Sequence, residues 1–418
     1  MYIAILGRQP ALGMAELECL YGSETVRWFS DSTALITSPD FDFERLGGSQ
    51  KAGRVVAELS GDWRKASMQI VRAYTDAWKS HDGKITLGIS AFGFRVTSRD
   101  VQKTGIILKQ KLREHGVSLR LIPNTEPALN TAASHHNKLG LSDNHVELLV
   151  VRAGNGNIIV AESLGAQNIT ALAARDQARP KTDTFVGMLP PKLARMMVNL
   201  AVGDKVLQSK FYDLSKDPTA QNLEPRSQNV TILDPFCGTG VVLQEAALLG
   251  YDIYGTDLSE KMVDYSTVNI NWLVEKYGLS TDVTIEHGDA MTHTWPLLRA
   301  RNLELRTSIA VVAETYLGQP FSAPPSPTKL TEVRGNCNHI ISEFLRNIGS
   351  QLTPSTPLCL AVPAWRDSAG RFTHLPLIDN LEKLGYERLT LSNVRNDQLL
   401  YYRESQIVAR QLLILKKK

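Results

Sequence analysis

Residues 229–257, N-V-T-I-L-D-P-F-C-G-T-G-V-V-L-Q-E-A-A-L-L-G-Y-D-I-Y-G-T-D, read as a strand, a glycine turn, a helix and a second strand. Val230, Ile232 and Leu233 form a short apolar run of the kind buried in a parallel sheet. The run stops at Asp234-Pro235, and Gly238-Thr239-Gly240 supplies a turn where backbone can approach a ligand closely. Residues 241–249 are good helix formers, Gly250 closes the helix, and 251–254 begin a strand that ends near Asp257.

An acid after the second strand of such a unit suits a nucleoside-containing cofactor, because its carboxylate can accept from two ribose hydroxyls while Gly238 and Gly240 admit the ligand to the backbone. A dinucleotide fingerprint would need a third glycine near Leu243, and a phosphate loop would need G-K-[ST]; neither is present. Asp234, directly before the turn, would repel a pyrophosphate but suits an ammonium group, and S-adenosylmethionine meets both demands. The alternative is an ordinary βαβ turn with a chance pair of glycines. D-P-F-C-G-T-G resembles the first motif of class I methyltransferases that modify exocyclic amines of RNA bases. That resemblance implies cofactor contacts from Asp234, Phe236, Gly238, Gly240 and Asp257.

The chain has 418 residues, enough for two or three domains, and its 43% hydrophobic and 21% charged residues describe a globular protein. No apolar run approaches the length needed to span a bilayer, so no membrane partner is expected. Residues 1–7 read as a strand without a basic leader, so no signal peptide is expected. Cys19, Cys237, Cys337 and Cys359 are far apart, lack metal-ligand spacing, and read as reduced residues of a cytoplasmic protein. With 46 basic and 43 acidic residues the net charge is only +3, so any nucleic-acid footprint has to be a local patch.

The first stretch, 1–61, reads as a small α+β unit of ferredoxin-like type, with a helix at 11–21, a hairpin at 26–36, a short helix within 38–48 and a strand at 54–59. A second α+β unit follows over 62–165, with helices at 63–78 and 98–116, strands at 84–90 and 117–122, and a hairpin of 146–152 with 157–162. K-I-T-L-G-I-S-A-F-G, G-I-I-L-K-Q-K-L-R-E-H-G-V-S-L-R-L-I-P and A-L-N-T-A-A resemble the THUMP domain, an RNA-binding module of tRNA-modifying enzymes. The resemblance implies RNA contacts from Lys103, Lys109, Arg113 and Arg120, where composition alone describes a solvated helix face. His135 and His136 read as loop residues without a metal-ligand partner.

Residues 166–186 read as a linker. G-M-L-P-P-K-L-A-R-M-M-V-N-L-A, 187–201, starts a helix at Pro190-Pro191, with Met188, Leu193, Met197 and Leu200 as its buried face. It resembles the segment before the cofactor motif in tRNA guanine-N2 methyltransferases acting at position 10, where it helps close the cofactor pocket. Residues 211–228 are polar and proline-marked and read as an insertion. After Asp257 come a helix at 259–277, a strand at 283–287 and Asp289, in the place of the acid that accepts from the adenine amine in this group. The strand at 309–313 ends in Glu314-Thr315-Tyr316-Leu317-Gly318, where the group carries D-P-P-Y or N-P-P-Y. A carboxylate survives one methylene longer and an aromatic one position early, so Glu314 and Tyr316 are the expected catalytic pair. A mobile proline-rich loop at 322–328, helices at 332–352 and 373–385, and strands at 357–362, 386–392 and 406–415 complete the reading.

The expected architecture is α/β: a class I, Rossmann-like methyltransferase domain over 187–418, preceded by the α+β THUMP-type RNA-binding region. The resemblance to THUMP-containing tRNA guanine-N2 methyltransferases implies methyl transfer from S-adenosylmethionine to a guanosine 2-amino group of tRNA, at position 10. Relatives of this group in some organisms work with a small zinc-binding activator subunit, which joins tRNA among the partners to test. Two other readings stay open: an RNA-binding protein whose altered motif has lost activity, and a methyltransferase acting on a DNA or ribosomal RNA base.

Overall fold

In the computed structural model, residues 1–183, 189–203, 230–299 and 308–418 are described. Gly187 and Met188, the tail of the expected linker (184–186) and the expected insertion at 211–228 lie outside them. The chain divides into two compact units, one of Met1–Pro10 with Glu24–Ala171 and one of Ala11–Ser23 with Leu172–Lys418.

The first unit is built on one eight-stranded sheet in the order β2-β3-β1-β4-β8-β7-β5-β6. Its strands are β1 Tyr2–Leu6, β2 Val26–Ser30, β3 Thr33–Ile36, β4 Ser49–Ser60, β5 Lys84–Phe92, β6 Ser118–Leu121, β7 His145–Arg152 and β8 Asn157–Ala166. The stretches 1–61 and 62–165, expected as separate units, therefore share a sheet. The reason is β4: it runs for 12 residues and pairs antiparallel with β1 through its first half and with β8 along its length. Helices Trp63–Trp78 and Ser98–Glu114 cover the sheet through Ile70, Tyr74, Val101, Leu108 and Leu112, packed on Ile85, Leu87 and Ile89. Thr97 and Asp100 form a reciprocal capping box that fixes where the second helix starts.

Two local expectations in this unit change. No helix forms over 38–48, because side chains capture the backbone two residues on: Asp40 N donates to Ser38 Oγ (3.3 Å) and Glu44 N to Asp42 Oδ1 (2.9 Å). Such turns compete directly with helical hydrogen bonds. His135 and His136 end a short helix, Thr131–His136, capped by Asn130.

The second unit contains a nine-stranded sheet whose main path is β11-β10-β9-β12-β13-β17-β15. The strands are β9 Val230–Asp234, β10 Asp252–Asp257, β11 Val283–His287, β12 Ser308–Glu314, β13 Pro357–Arg366, β14 Phe372–Thr373, β15 Tyr386–Arg388, β16 Leu400–Tyr401 and β17 Val408–Lys417. The first five on the path are parallel, and β17 enters antiparallel to both β13 and β15. Strand order reverses between β9 and β12, a topological switch point at which open α/β sheets bind ligands outside the carboxyl ends of their strands.

Helix Val241–Leu248 is buried along seven of its eight residues, whereas Glu260–Tyr277 buries one stripe, Met262, Ser266, Asn269, Ile270 and Leu273. On the other face, helix Pro327–Gly349 packs Ile341, Phe344, Leu345 and Ile348 against Leu233, Val311 and Leu360 of the sheet. It starts five residues before the expected 332, inside the stretch read as a loop, because Ser326 caps it and Pro327 occupies its first turn. The expected helix at 373–385 is a pair of tight turns, Pro376–Asn380 and Glu382–Leu384, opened by Pro376 and closed by Gly385 at φ 86°. The linker contains a helix of its own, Ile169–Gln177. Helix Pro10–Tyr21 belongs almost wholly to the second unit rather than to 1–61, because its buried acids bond there: Glu16 accepts from Asn199 (2.7 Å), and Glu18 from the backbone of Asn393 (2.8 Å).

Candidate active site

The carboxyl ends of β9, β10 and β12 open into a cleft of about 840 Å³. Its floor is the turn after β9. Gly238 and Gly240 take left-handed φ values of 51° and 83°, which a residue with a Cβ adopts only at a cost. Their further needs differ. A Cβ on Gly240 would stand 2.6 Å from Ser266 Oγ on helix Glu260–Tyr277, so this glycine lets the turn dock on the helix. A Cβ on Gly238 would meet nothing nearer than 4.0 Å, so that glycine leaves room in the cleft.

Asp257, at the end of β10, ties the turn to the sheet: Gly238 N donates to Oδ2 and Ser259 N to Oδ1, both at 2.9 Å. A carboxylate offers about four acceptor positions, so two remain for ligand hydroxyls. Burial pushes this carboxyl up, and the two backbone donors pull it back. Asp234 is 1% exposed and accepts from Phe236 N at 3.1 Å. Burial raises its carboxyl well above the usual range, and the neighbouring charges of Asp257 and Glu314 add to this. A cationic group entering the cleft would relieve that cost. Phe236 meets Phe344 edge to face, with centroids 5.0 Å apart. Asp289 follows β11 and accepts from Met291 N at 2.9 Å, which holds it at the cleft wall.

The opposite wall is the end of β12. Glu314 lines it with its side chain 16% exposed, and Arg410 of β17 donates to its Oε1. Thr315 turns inward and donates to Ala361 O at 3.0 Å. Tyr316 is 41% exposed at the rim, beside Leu317, Gln319 and Asn336. The cleft thus gathers Asp234, Phe236, Gly238, Asp257, Asp289, Glu314 and Tyr316 around one cavity, with Gly240 supporting its floor from behind.

This arrangement has the chain order and sheet order of one fold. The second unit is a class I methyltransferase fold. Residues 224–294 match the family model described as UPF0020: RMKL-like, methyltransferase domain. A tRNA (guanine(10)-N2)-dimethyltransferase of Methanothermobacter thermautotrophicus is 29% identical over 198 residues, 46% of this chain and 44% of that protein. The enzyme of the same description from Pyrococcus abyssi is 35% identical over 102 residues, 24% of this chain and 22% of its own. The matches thus span less than half the length of these curated relatives. Among solved structures, TrmN from Thermus thermophilus aligns at 18% identity and a TM-score of 0.49, covering 100% of this chain and 99% of that one.

Sequence reasoning missed Arg410, whose sole signal was a cation inside the apolar run of β17; it is 5% exposed. It also missed Asp183 at the cleft, which pairs with Lys261 at 2.7 Å. Lys103, Lys109, Arg113 and Arg120 belong to the first unit, the first three on helix Ser98–Glu114 and the last on β6, and all four are exposed. Among the described residues no cluster of three His, Cys, Asp or Glu side chains could hold a metal ion, and no helix is long and apolar enough to cross a membrane.

Proposed function

We propose that this protein is an S-adenosylmethionine-dependent methyltransferase acting on the exocyclic 2-amino group of a guanosine in tRNA, at position 10. The observation that carries this reading is the convergence of the D-P-F-C-G-T-G turn, Asp257, Asp289 and the Glu314–Tyr316 segment on one cleft at the switch point of the sheet. The cleft also fits the cofactor chemically. Gly238 leaves open space at the turn, and Asp257 keeps acceptor capacity for two hydroxyls. Asp234 is a buried carboxyl that gains from a cationic neighbour, as an amino-acid ammonium would be. Asp289 would accept from the adenine amine, and Phe236 would pack against the ligand.

S-adenosylmethionine supplies an electrophilic methyl group when bound. The chain's own residues have to bring a poor nucleophile to it, since the lone pair of the guanine 2-amine is delocalised into the ring. Glu314 would accept an N–H of that amine and take the proton it sheds on methylation, the sulfonium's methyl–sulfur bond breaking to leave a neutral thioether. Tyr316, exposed at the rim, stacks on the base and limits its rotation. The first unit supplies RNA capture as a THUMP-type module, with Lys103, Lys109, Arg113 and Arg120 neutralising phosphates. A cytoplasmic reaction is part of the reading, supported by four buried cysteines that are not in disulfides.

Alanine at Lys103, Lys109 and Arg113 together is expected to weaken tRNA binding most at low ionic strength. The slope of log K against log salt should fall by up to about 0.9 for each phosphate that is no longer neutralised, with cofactor affinity unchanged. Fluorescence anisotropy of labelled tRNA across a salt series measures it, and an unchanged slope removes this helix from the interface.

The deciding assay incubates purified protein with labelled S-adenosylmethionine and unmodified tRNA, ribosomal RNA or duplex DNA, followed by mass spectrometry of the nucleosides. Label in N2-methylguanosine of tRNA is expected. Label confined to another nucleic acid moves the substrate, and no cofactor binding overturns the site. One observation favours a second reading, an RNA-binding protein without activity: Glu314 is already engaged by Arg410 in a motif that departs from D-P-P-Y. Binding of tRNA and cofactor without transfer, repeated with a small zinc-binding activator subunit present, would support it.

A further inference from the structure

Glu314 is the last residue of β12, and Ala361 of β13 is its partner across the ladder. Arg410 lies one strand further, on β17, with Pro363 of β13 opposite it on one side and Tyr401 of β16 on the other. Its backbone is thus fixed from both edges, on an element with no role in the cofactor turn. From there the guanidinium reaches over β13, and its Nε donates to Oε1 of Glu314. No described residue hydrogen-bonds Oε2 of Glu314, which keeps contact with the cleft.

We propose that Arg410 is the positioning residue of the transfer site: it fixes the Glu314 carboxylate through one oxygen and leaves the other available to the target amine. This rests on the reading of Glu314 as the acceptor of that amine. It also gives the departure from D-P-P-Y a physical meaning. A glutamate is one methylene longer and more flexible than the aspartate of that motif, and a guanidinium held on a rigid strand removes the extra freedom. The two prolines that would stiffen the motif's own backbone are absent here, so the stiffness comes from across the sheet.

The charge environment agrees. Burial pushes the Glu314 carboxyl up, and Arg410 pulls it back. Across the cleft the Glu314 charge raises the Asp234 carboxyl of β9, so the two acids disfavour ionising together. From β13 come Ala361, Val362 and Pro363, none of which titrates, and helix Pro327–Gly349 brings the thiol of Cys337 against Gly318. Arg410 is thus the cation that works against burial and favours the ionised carboxylate. Without it, Glu314 holds its proton to higher pH, and the acid limb of activity moves upward.

Two variants and two readouts test this. Arg410→Met removes the cation, and Arg410→Lys keeps the charge but loses the planar fork. In the pH profile of kcat for tRNA methylation, Arg410→Met is expected to shift the acid limb up by at least about one pH unit, with activity recovering at alkaline pH. Arg410→Lys should keep the limb near its wild-type place while lowering kcat, and neither should alter KM for the cofactor more than a few-fold. The second readout needs no turnover: carbon-13 spectra of glutamate-labelled protein, with the Glu314 signal identified by its loss in Glu314→Gln. That signal should titrate at higher pH in Arg410→Met than in wild type. Equal midpoints in the two proteins, or a wild-type pH profile in Arg410→Met, overturn the proposal. If wild-type protein methylates no nucleic acid, the functional reading fails, and the carbon-13 titration still decides whether Arg410 governs the Glu314 charge.

Discussion

Glu314→Gln is expected to lower kcat for tRNA methylation by about 100-fold or more, the range in which positioned acid–base groups contribute, while cofactor affinity stays within a few-fold of wild type. Glutamine keeps the size of the side chain and one acceptor oxygen, so the cleft keeps its shape. It cannot take the proton that leaves the amine. The cofactor residues sit at or just beyond the carboxyl ends of β9, β10 and β11 and share no hydrogen bond with Glu314; its charge reaches Asp234, so cofactor affinity is measured alongside turnover. The substitution also leaves the Arg410 guanidinium buried without its counter-charge, so thermal unfolding has to be recorded alongside kinetics. A variant that folds, binds cofactor and retains a third or more of wild-type kcat would show that Glu314 is not the proton acceptor, and would favour a role confined to structure.

The parts of this site that could be read from sequence are the parts written locally. The strand, turn, helix and acid of 229–257 fall within one βαβ unit, and each residue there is interpretable from its neighbours: Gly238 and Gly240 from the turn, Asp257 from the strand end. Glu314 was reachable because it ends the apolar strand β12, and Asp289 because of its place after β11 in the order of the resembled group. Arg410 was not, since its partner lies 96 residues away and the pairing depends on the register of β17 against β13. The same limit explains the first unit, where β4 joins two stretches that read as separate α+β units. Within 38–48, where a short helix is expected, Ser38 and Asp42 bond to the backbone instead. The early start of helix Pro327–Gly349 was legible in Ser326-Pro327 and was outweighed by the proline-rich composition around it. Local competition and long-range register, rather than weak motifs, account for what sequence could not supply.

A second large effect is expected at a residue no motif marks. Glu245, fully buried on helix Val241–Leu248, holds two arginines: Arg175 Nε at 2.5 Å and Arg195 Nε at 2.8 Å. Arg175 comes from the helix inside the linker and Arg195 from helix Pro191–Val202, so one carboxylate clasps both segments to the helix that follows the glycine turn. Glu245→Leu would leave two guanidinium groups, 7% and 15% exposed, facing an apolar side chain. Removing one member of a buried ion pair costs about 3–5 kcal/mol, because the charge left behind loses its compensation. The urea unfolding transition of the full chain should shift accordingly. The triple variant Arg175→Met, Glu245→Leu, Arg195→Met should recover much of the loss, since apolar side chains of similar volume can replace a buried ionic cluster. A cost under about 1 kcal/mol for Glu245→Leu alone would mean that apolar packing, not this clasp, holds the linker helix. A full cost without recovery in the triple variant would assign the arginines a further structural role. Because the clasp sits directly behind the cofactor turn, cofactor affinity should weaken in Glu245→Leu and return with stability in the triple variant.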